Sequence, residues 1–95
     1  MSDEATCELL SEDARTKVWR WSFQQGQATG MHTHEYDYIA IPITGGDFTA
    51  TFESDDVMPV TQIAGTPYQR EAGVRHNVRF VGEGAATFVE IEFLS

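Results

Sequence analysis

Cysteine is nearly absent from this 95-residue chain: Cys7 stands alone, which excludes a disulfide within it. A lone thiol fits a reducing compartment, so the expected location is the cytoplasm. Basic residues are scarce as well. Six Lys and Arg stand against fifteen Asp and Glu, a net charge of −9 with histidine neutral. Such a balance repels phosphate backbones and anionic bilayers, so neither nucleic acid nor a membrane is an expected partner. No apolar run approaches the roughly 20 residues that cross a bilayer. Met1-Ser2-Asp3-Glu4 also lacks the basic and apolar blocks of a secretion signal. Nor is there a repeat or a Gly-, Ser- or Pro-rich linker to divide the chain. One domain is expected over 1–95, with a core at about 16–93 and an acidic segment at 1–15 read as a strand or a dimer contact. A chain this short buries only roughly 60–65% of its unfolded surface, and such domains often lean on a metal or a partner copy.

What is present is a succession of short segments with alternating apolar residues, punctuated by Gly, Asp and Pro. Trp19, Trp21 and Phe23 share one face of a strand over 16–23. A long strand is expected from Met31 to Thr44, stopped by Gly45-Gly46, with Pro42 marking an edge or a bulge. Further strands are expected at 48–52, 57–63, 68–70, 74–80 and 86–94. Helical spacing is confined to Ala5 to Asp13, and that stretch is short. The pattern predicts an all-β sandwich or barrel.

The three histidines carry most of the functional information. His32 and His34 are two apart, so on one strand both imidazoles leave the same face. His76 lies in a later strand that sheet pairing can bring opposite them. Three imidazoles with open positions form a catalytic rather than a structural metal pattern. By itself a His-X-His pair is weak evidence, because surface strands produce it by chance.

The residues around it resemble the two sequence motifs of the cupin family. Gly26 is followed by five residues, His32-Thr33-His34, three residues, Tyr38, six residues and Gly45. Gly65 is followed by five residues, Glu71-Ala72-Gly73, two residues, His76, three residues and Phe80. Every glycine and histidine of the motifs is matched, and the resemblance runs from about Thr16 to Phe93. Tyr38 stands where most cupins have a metal-binding glutamate, Glu71 replaces a proline, and Phe80 replaces an asparagine that Asn77 flanks. The resemblance implies a single-domain jelly-roll β-barrel that pairs as a homodimer. It also implies one divalent transition metal (Fe, Ni, Zn, Mn or Cu) held by His32, His34 and His76. The Tyr36-Asp37-Tyr38 run is also similar to that of short bacterial cupins, some linked to β-alanine breakdown.

Unbroken alternation would put Tyr36 and Tyr38 on the histidine face, where a phenol can act on the metal's solvent ligand or merely fill the barrel. Tyr38 is thus the candidate catalytic residue, and Tyr36 and Arg70 are candidate substrate contacts. Arg70 would hold a carboxylate through two parallel hydrogen bonds. Glu90 reads by default as solvent-facing, or, if it points inward, as the carboxylate that Tyr38 replaced. Cys7 beside Glu8 lacks the positive surroundings that activate a thiolate. Two function classes follow. One is a dioxygenase-like or other metal-dependent enzyme acting on a small carboxylate- or carbonyl-bearing molecule. The other is a non-catalytic sensor or accessory protein that binds metal and ligand.

Overall fold

The computed structural model describes residues 3–95, and among these there is no helix. Nine strands form: β1 (Thr6–Glu12), β2 (Thr16–Gln24), β3 (His32–Thr33), β4 (Tyr38–Pro42), β5 (Gly46–Phe52), β6 (Val57–Gln62), β7 (Tyr68–Arg70), β8 (Arg75–Phe80) and β9 (Ala85–Phe93). They make a five-stranded antiparallel sheet, β1-β2-β9-β4-β7, and a four-stranded one, β3-β8-β5-β6. The two sheets face each other as a jelly roll, the double-sheet form of the all-β class that the alternation predicts.

Two local expectations are corrected and a third is refined. The stretch with helical spacing is strand β1, whose amides and carbonyls pair with β2 in register from Thr6↔Ser22 to Glu12↔Lys17. The long strand at 31–44 is two strands in different sheets. β3 pairs with β8, whereas β4 pairs with β9 and β7. Between them His34 donates its amide to Val74 O at 2.8 Å, and its carbonyl accepts from Gly73 N at 2.8 Å, so the chain leaves one ladder and enters the other. Pro42 meets the edge expectation locally, although β4 lies inside its sheet. It ends β4 beyond the reach of β7, whose pairing stops at Ala40↔Tyr68, so its missing N–H removes no ladder bond on that side.

Alternation sorts the side chains. On β4, Tyr38, Ala40 and Pro42 are buried while Ile39 and Ile41 are half-buried on the outer face. One end of the interior is packed by Phe23, Phe48, Phe80, Ala86 and Phe88. Phe23 meets Phe48 edge to face at 5.2 Å and stacks on Phe88 at 5.4 Å, favourable geometries for aromatic quadrupoles. Moving along the paired strands, the inner face runs from Phe48↔Phe80 through Ala50↔Val78 to Phe52↔His76. Small Ala50 and Ala40 thin the middle layer, so the barrel is solid at the phenylalanine end and hollow toward the histidines.

Candidate metal centre

His32 and His76 are direct cross-strand partners of β3 and β8, the arrangement that brings two side chains closest on a shared face. The turn that delivers β3 needs Gly30, which adopts φ +86°. The Gly30 amide donates to Asn77 Oδ1 at 3.0 Å, so the residue beside His76 anchors the loop before His32. His34 arrives by a different route. It follows the end of β3, and its two backbone bonds to the 73–74 loop turn its ring inward, where it is only 5% exposed.

The three rings meet at their Nε2 atoms. His34 Nε2 lies 3.0 Å from His32 Nε2 and 3.1 Å from His76 Nε2. Two nitrogens about 2.1 Å from one ion stand about 3.0 Å apart at a right angle and about 3.4 Å apart at a tetrahedral angle, so these separations suit three ligands on one face of a single ion. The protonation states agree. His32 Nδ1 sits 2.8 Å from Gly30 O, an acceptor only, which assigns the ring proton to Nδ1 and leaves a lone pair on Nε2. Burial, with the neighbouring rings as secondary cause, depresses the His34 pKa to about 3. Burial, then His32 and Arg70, depresses that of His76 to about 4. Imidazoles whose Nε2 atoms converge, two of them disfavoured as cations by burial, are a donor set for a divalent transition ion. Among the described residues these three are the group of His, Cys, Asp and Glu side chains close enough to share one ion, and the set contains no carboxylate.

Tyr38 is brought to the centre, although not by strand alternation. It is 3% exposed and stacks on His34 with centroids 4.0 Å apart. Burial, then the Glu90 charge, raises its pKa well above the usual phenol value, so it keeps its proton. Tyr36 is not brought there: the break after β3 ends the shared face, and it lines neither cavity beside the histidines. Arg70 lines the mouth of one cavity. Its guanidinium lies 4.7 Å over the Tyr68 ring, and Nη1 donates to Gln69 O.

Two cavities flank the triad. One, of about 240 Å³, runs from His76 and Tyr38 along Phe52, Val60 and Val78 to Gln62, Tyr68 and Arg70. The other, of about 220 Å³, is lined by His32 and His34 with Trp19, Trp21, Glu90, Glu92 and Cys7. Glu90 therefore faces inward, correcting the solvent-facing default. It is 8% exposed, its partners across the sheet being Trp19 and Ala40. Burial raises its pKa to about 7, against a lowering by the Trp21 hydrogen bond. Inward as it is, it lies outside the group that can share an ion. Cys7 is a poor nucleophile as expected: burial, then Glu90 and Glu92, raises its pKa to about 11. Sequence reasoning missed Gln62 and Glu92, since a single Gln or Glu in an alternating strand gives no sign of which face lies inside.

No family model matches the chain. A curated relative, the "Beta-alanine degradation protein BauB" of Pseudomonas aeruginosa, is 39% identical over 82 residues, covering 85% of this chain and 84% of its own. The crystal structure of a cupin domain from Bordetella pertussis superposes with a TM-score of 0.92 at 32% identity, over 97% of this chain and 95% of that one. An RmlC-like cupin with a double-stranded β-helix fold from Methanocaldococcus jannaschii shares the fold alone, with a TM-score of 0.77 at 14% identity over 97% and 82% of the two chains.

Proposed function

Because this chain belongs to the cupin family, we propose that His32, His34 and His76 hold one divalent transition ion against which a small carboxylate- or carbonyl-bearing molecule binds. The supporting observation is the convergence of three imidazole Nε2 atoms at separations of 3.0 and 3.1 Å. Bound there, Fe, Ni, Zn, Mn or Cu would supply a Lewis acid, and Fe or Cu redox chemistry as well. Tyr38 holds its hydroxyl proton and so donates a hydrogen bond toward the ligand rather than removing a proton from it. Its ring, stacked on His34, also fixes that imidazole's tilt. Arg70 receives a carboxylate at the cavity mouth, where its planar fork makes paired bonds. The Pseudomonas relative is named for β-alanine degradation, and a short carboxylate of that size suits a cavity of about 240 Å³.

The proposed setting is the cytoplasm, with the protein as a homodimer. In support, β1 is an exposed edge strand carrying Leu9 and Leu10, and edges of this kind favour pairing with another chain.

The test is calorimetric binding of short carboxylates and their primary amides to protein loaded with Fe(II), Ni(II) or Zn(II). The carboxylates should bind about tenfold tighter, and Arg70→Ala should remove most of that margin. Equal binding of amides, or an unchanged margin in Arg70→Ala, contradicts the reading. Oxygen consumption by the iron-loaded protein with the ligand that binds separates an enzyme from an accessory protein.

A further inference from the structure

One small residue keeps the cavity beside His76 open. The inner face of β5 presents Phe48, Ala50 and Phe52 in turn, while Thr49 and Thr51 point outward. Across the sheet, Phe48 lies between Val60 and Phe80, and Ala50 lies between Met58 and Val78. Phe52 is paired with His76. Every other side chain that lines this cavity is valine or larger, so Ala50 alone leaves room within the row. Any larger side chain at position 50 would project into the cavity of about 240 Å³, because strand alternation turns it inward. The wall around that space is mostly apolar. Met58 lines it yet is 54% exposed, an apolar surface that a ligand would cover. Among the described residues the lining holds no Asp or Glu, and its one guanidinium is Arg70.

We propose that the cavity takes an uncharged hydrocarbon body joined to the ligand's carboxylate, and that Ala50 is the specificity-determining residue that sets its length. This deepens the proposed carboxylate binding at the histidines and Arg70, and rests on it. At about 30 Å³ for each water-sized group, 240 Å³ holds roughly eight non-hydrogen atoms. The carboxylate accounts for one carbon and two oxygens, which leaves about five carbons for the body. The ligand class is therefore a short aliphatic acid of about six carbons in all. An ω-amino acid of that length is disfavoured. Its ammonium would be buried without a carboxylate to pair with, and Arg70 and a bound ion would both repel it.

The experiment measures dissociation constants with zinc-loaded protein for the straight-chain acids from acetate to nonanoate and for their ω-amino counterparts. Each added carbon should tighten binding about fourfold up to about six carbons, and longer acids should bind more weakly. The ω-amino acids should bind at least about tenfold more weakly than acids of equal length. Ala50→Val adds two methyl groups and should move the optimum to about four carbons. Val78→Ala removes as many and should move it to about eight. Folding has its own readout. Ala50→Val fills empty space and should keep or raise the urea midpoint, whereas Ala86→Val, in the packed phenylalanine end, should lower it. Affinity that ignores chain length, equal binding of the ω-amino acids, or an optimum that neither variant moves would overturn the proposal. So would an Ala50→Val midpoint as low as that of Ala86→Val. Primary amides of the same acids separate the two levels. Amides that bind as well as acids, with the same optimum and the same shifts, support the role of Ala50 and refute the carboxylate reading. Acids that outbind amides without an optimum do the reverse.

Discussion

Glu90 sits on the inner face of β9 between Trp19 of β2 and Ala40 of β4, and takes a hydrogen bond from Trp21. Its folded pKa near 7 exceeds the value of 4.5 expected without burial. Between those pH values the unfolded chain releases this proton first, so ionisation progressively favours unfolding, and the penalty levels off above pH 7. The shift corresponds to about 3 kcal/mol. His34 and His76 pull the other way: with depressed pKa values they bind protons only when unfolded, so their contribution is lost as pH falls below about 6.5. Cys7 and Tyr38 titrate above this window, and Asp13, lowered by the backbone N–H groups of Arg15 and Thr16, titrates below it. The clean observable is a difference. Urea unfolding should show Glu90→Gln gaining on the unsubstituted protein by roughly 2–3 kcal/mol from pH 4.5 to 7.5. A constant difference would mean that Glu90 ionises as freely folded as unfolded. Glu90 and Gln62 also mark where single residues resist reading. Alternation assigns them to a face of a strand, and only the partner strands decide which face lies inside.

Strands were legible because two-residue alternation and glycine stops are local. The segments at 16–23, 48–52, 57–63, 68–70, 74–80 and 86–94 correspond within a residue or two to β2 and β5 to β9. The break after His32-Thr33 was not legible, since Tyr36, Tyr38 and Ala40 continue the alternation across it. Backbone bonds from His34 to residues 73 and 74 cause it, roughly forty positions along the chain. The histidine triad survives that error because the motif spacings encode its members without fixing the path between them. Glycine stops carry their own energetics. Gly46 adopts φ +132°, and a Cβ there would stand 2.9 Å from Phe80 Cε1 in the packed phenylalanine end. Gly46→Ala should cost about 2–4 kcal/mol through combined strain and overpacking. Gly65 has φ +77° but open space around a Cβ, so Gly65→Ala should cost only about 1 kcal/mol. Urea midpoints in the reverse order would contradict this account of the turns.

On the scale of the molecule, the outer face of the five-stranded sheet is unusually apolar for a chain of net charge −9. Val18, Ile91 and Ile39 lie side by side across β2, β9 and β4, with Val89 beside Ile41 in the next row. Pairing through this face and β1 would cover them while bringing two anionic chains together. Sedimentation equilibrium should therefore give a dimer that tightens as salt screens the repulsion, and Ile39→Glu should give a monomer. A monomer at 0.1 mM (about 1 g/L) or a dimer weakened by salt would contradict that assembly. The proposed centre inside each barrel would depend on all three imidazoles, since two from the 32–34 segment would leave one side of an ion to solvent. Metal content after purification without chelator tests this most directly, read by elemental analysis on the unsubstituted protein and on His76→Ala. The account predicts about one transition ion per chain in the first and little in the second, with the fold retained. Full metal in His76→Ala, or none in the unsubstituted protein after exposure to Fe(II), Ni(II) and Zn(II), would contradict it.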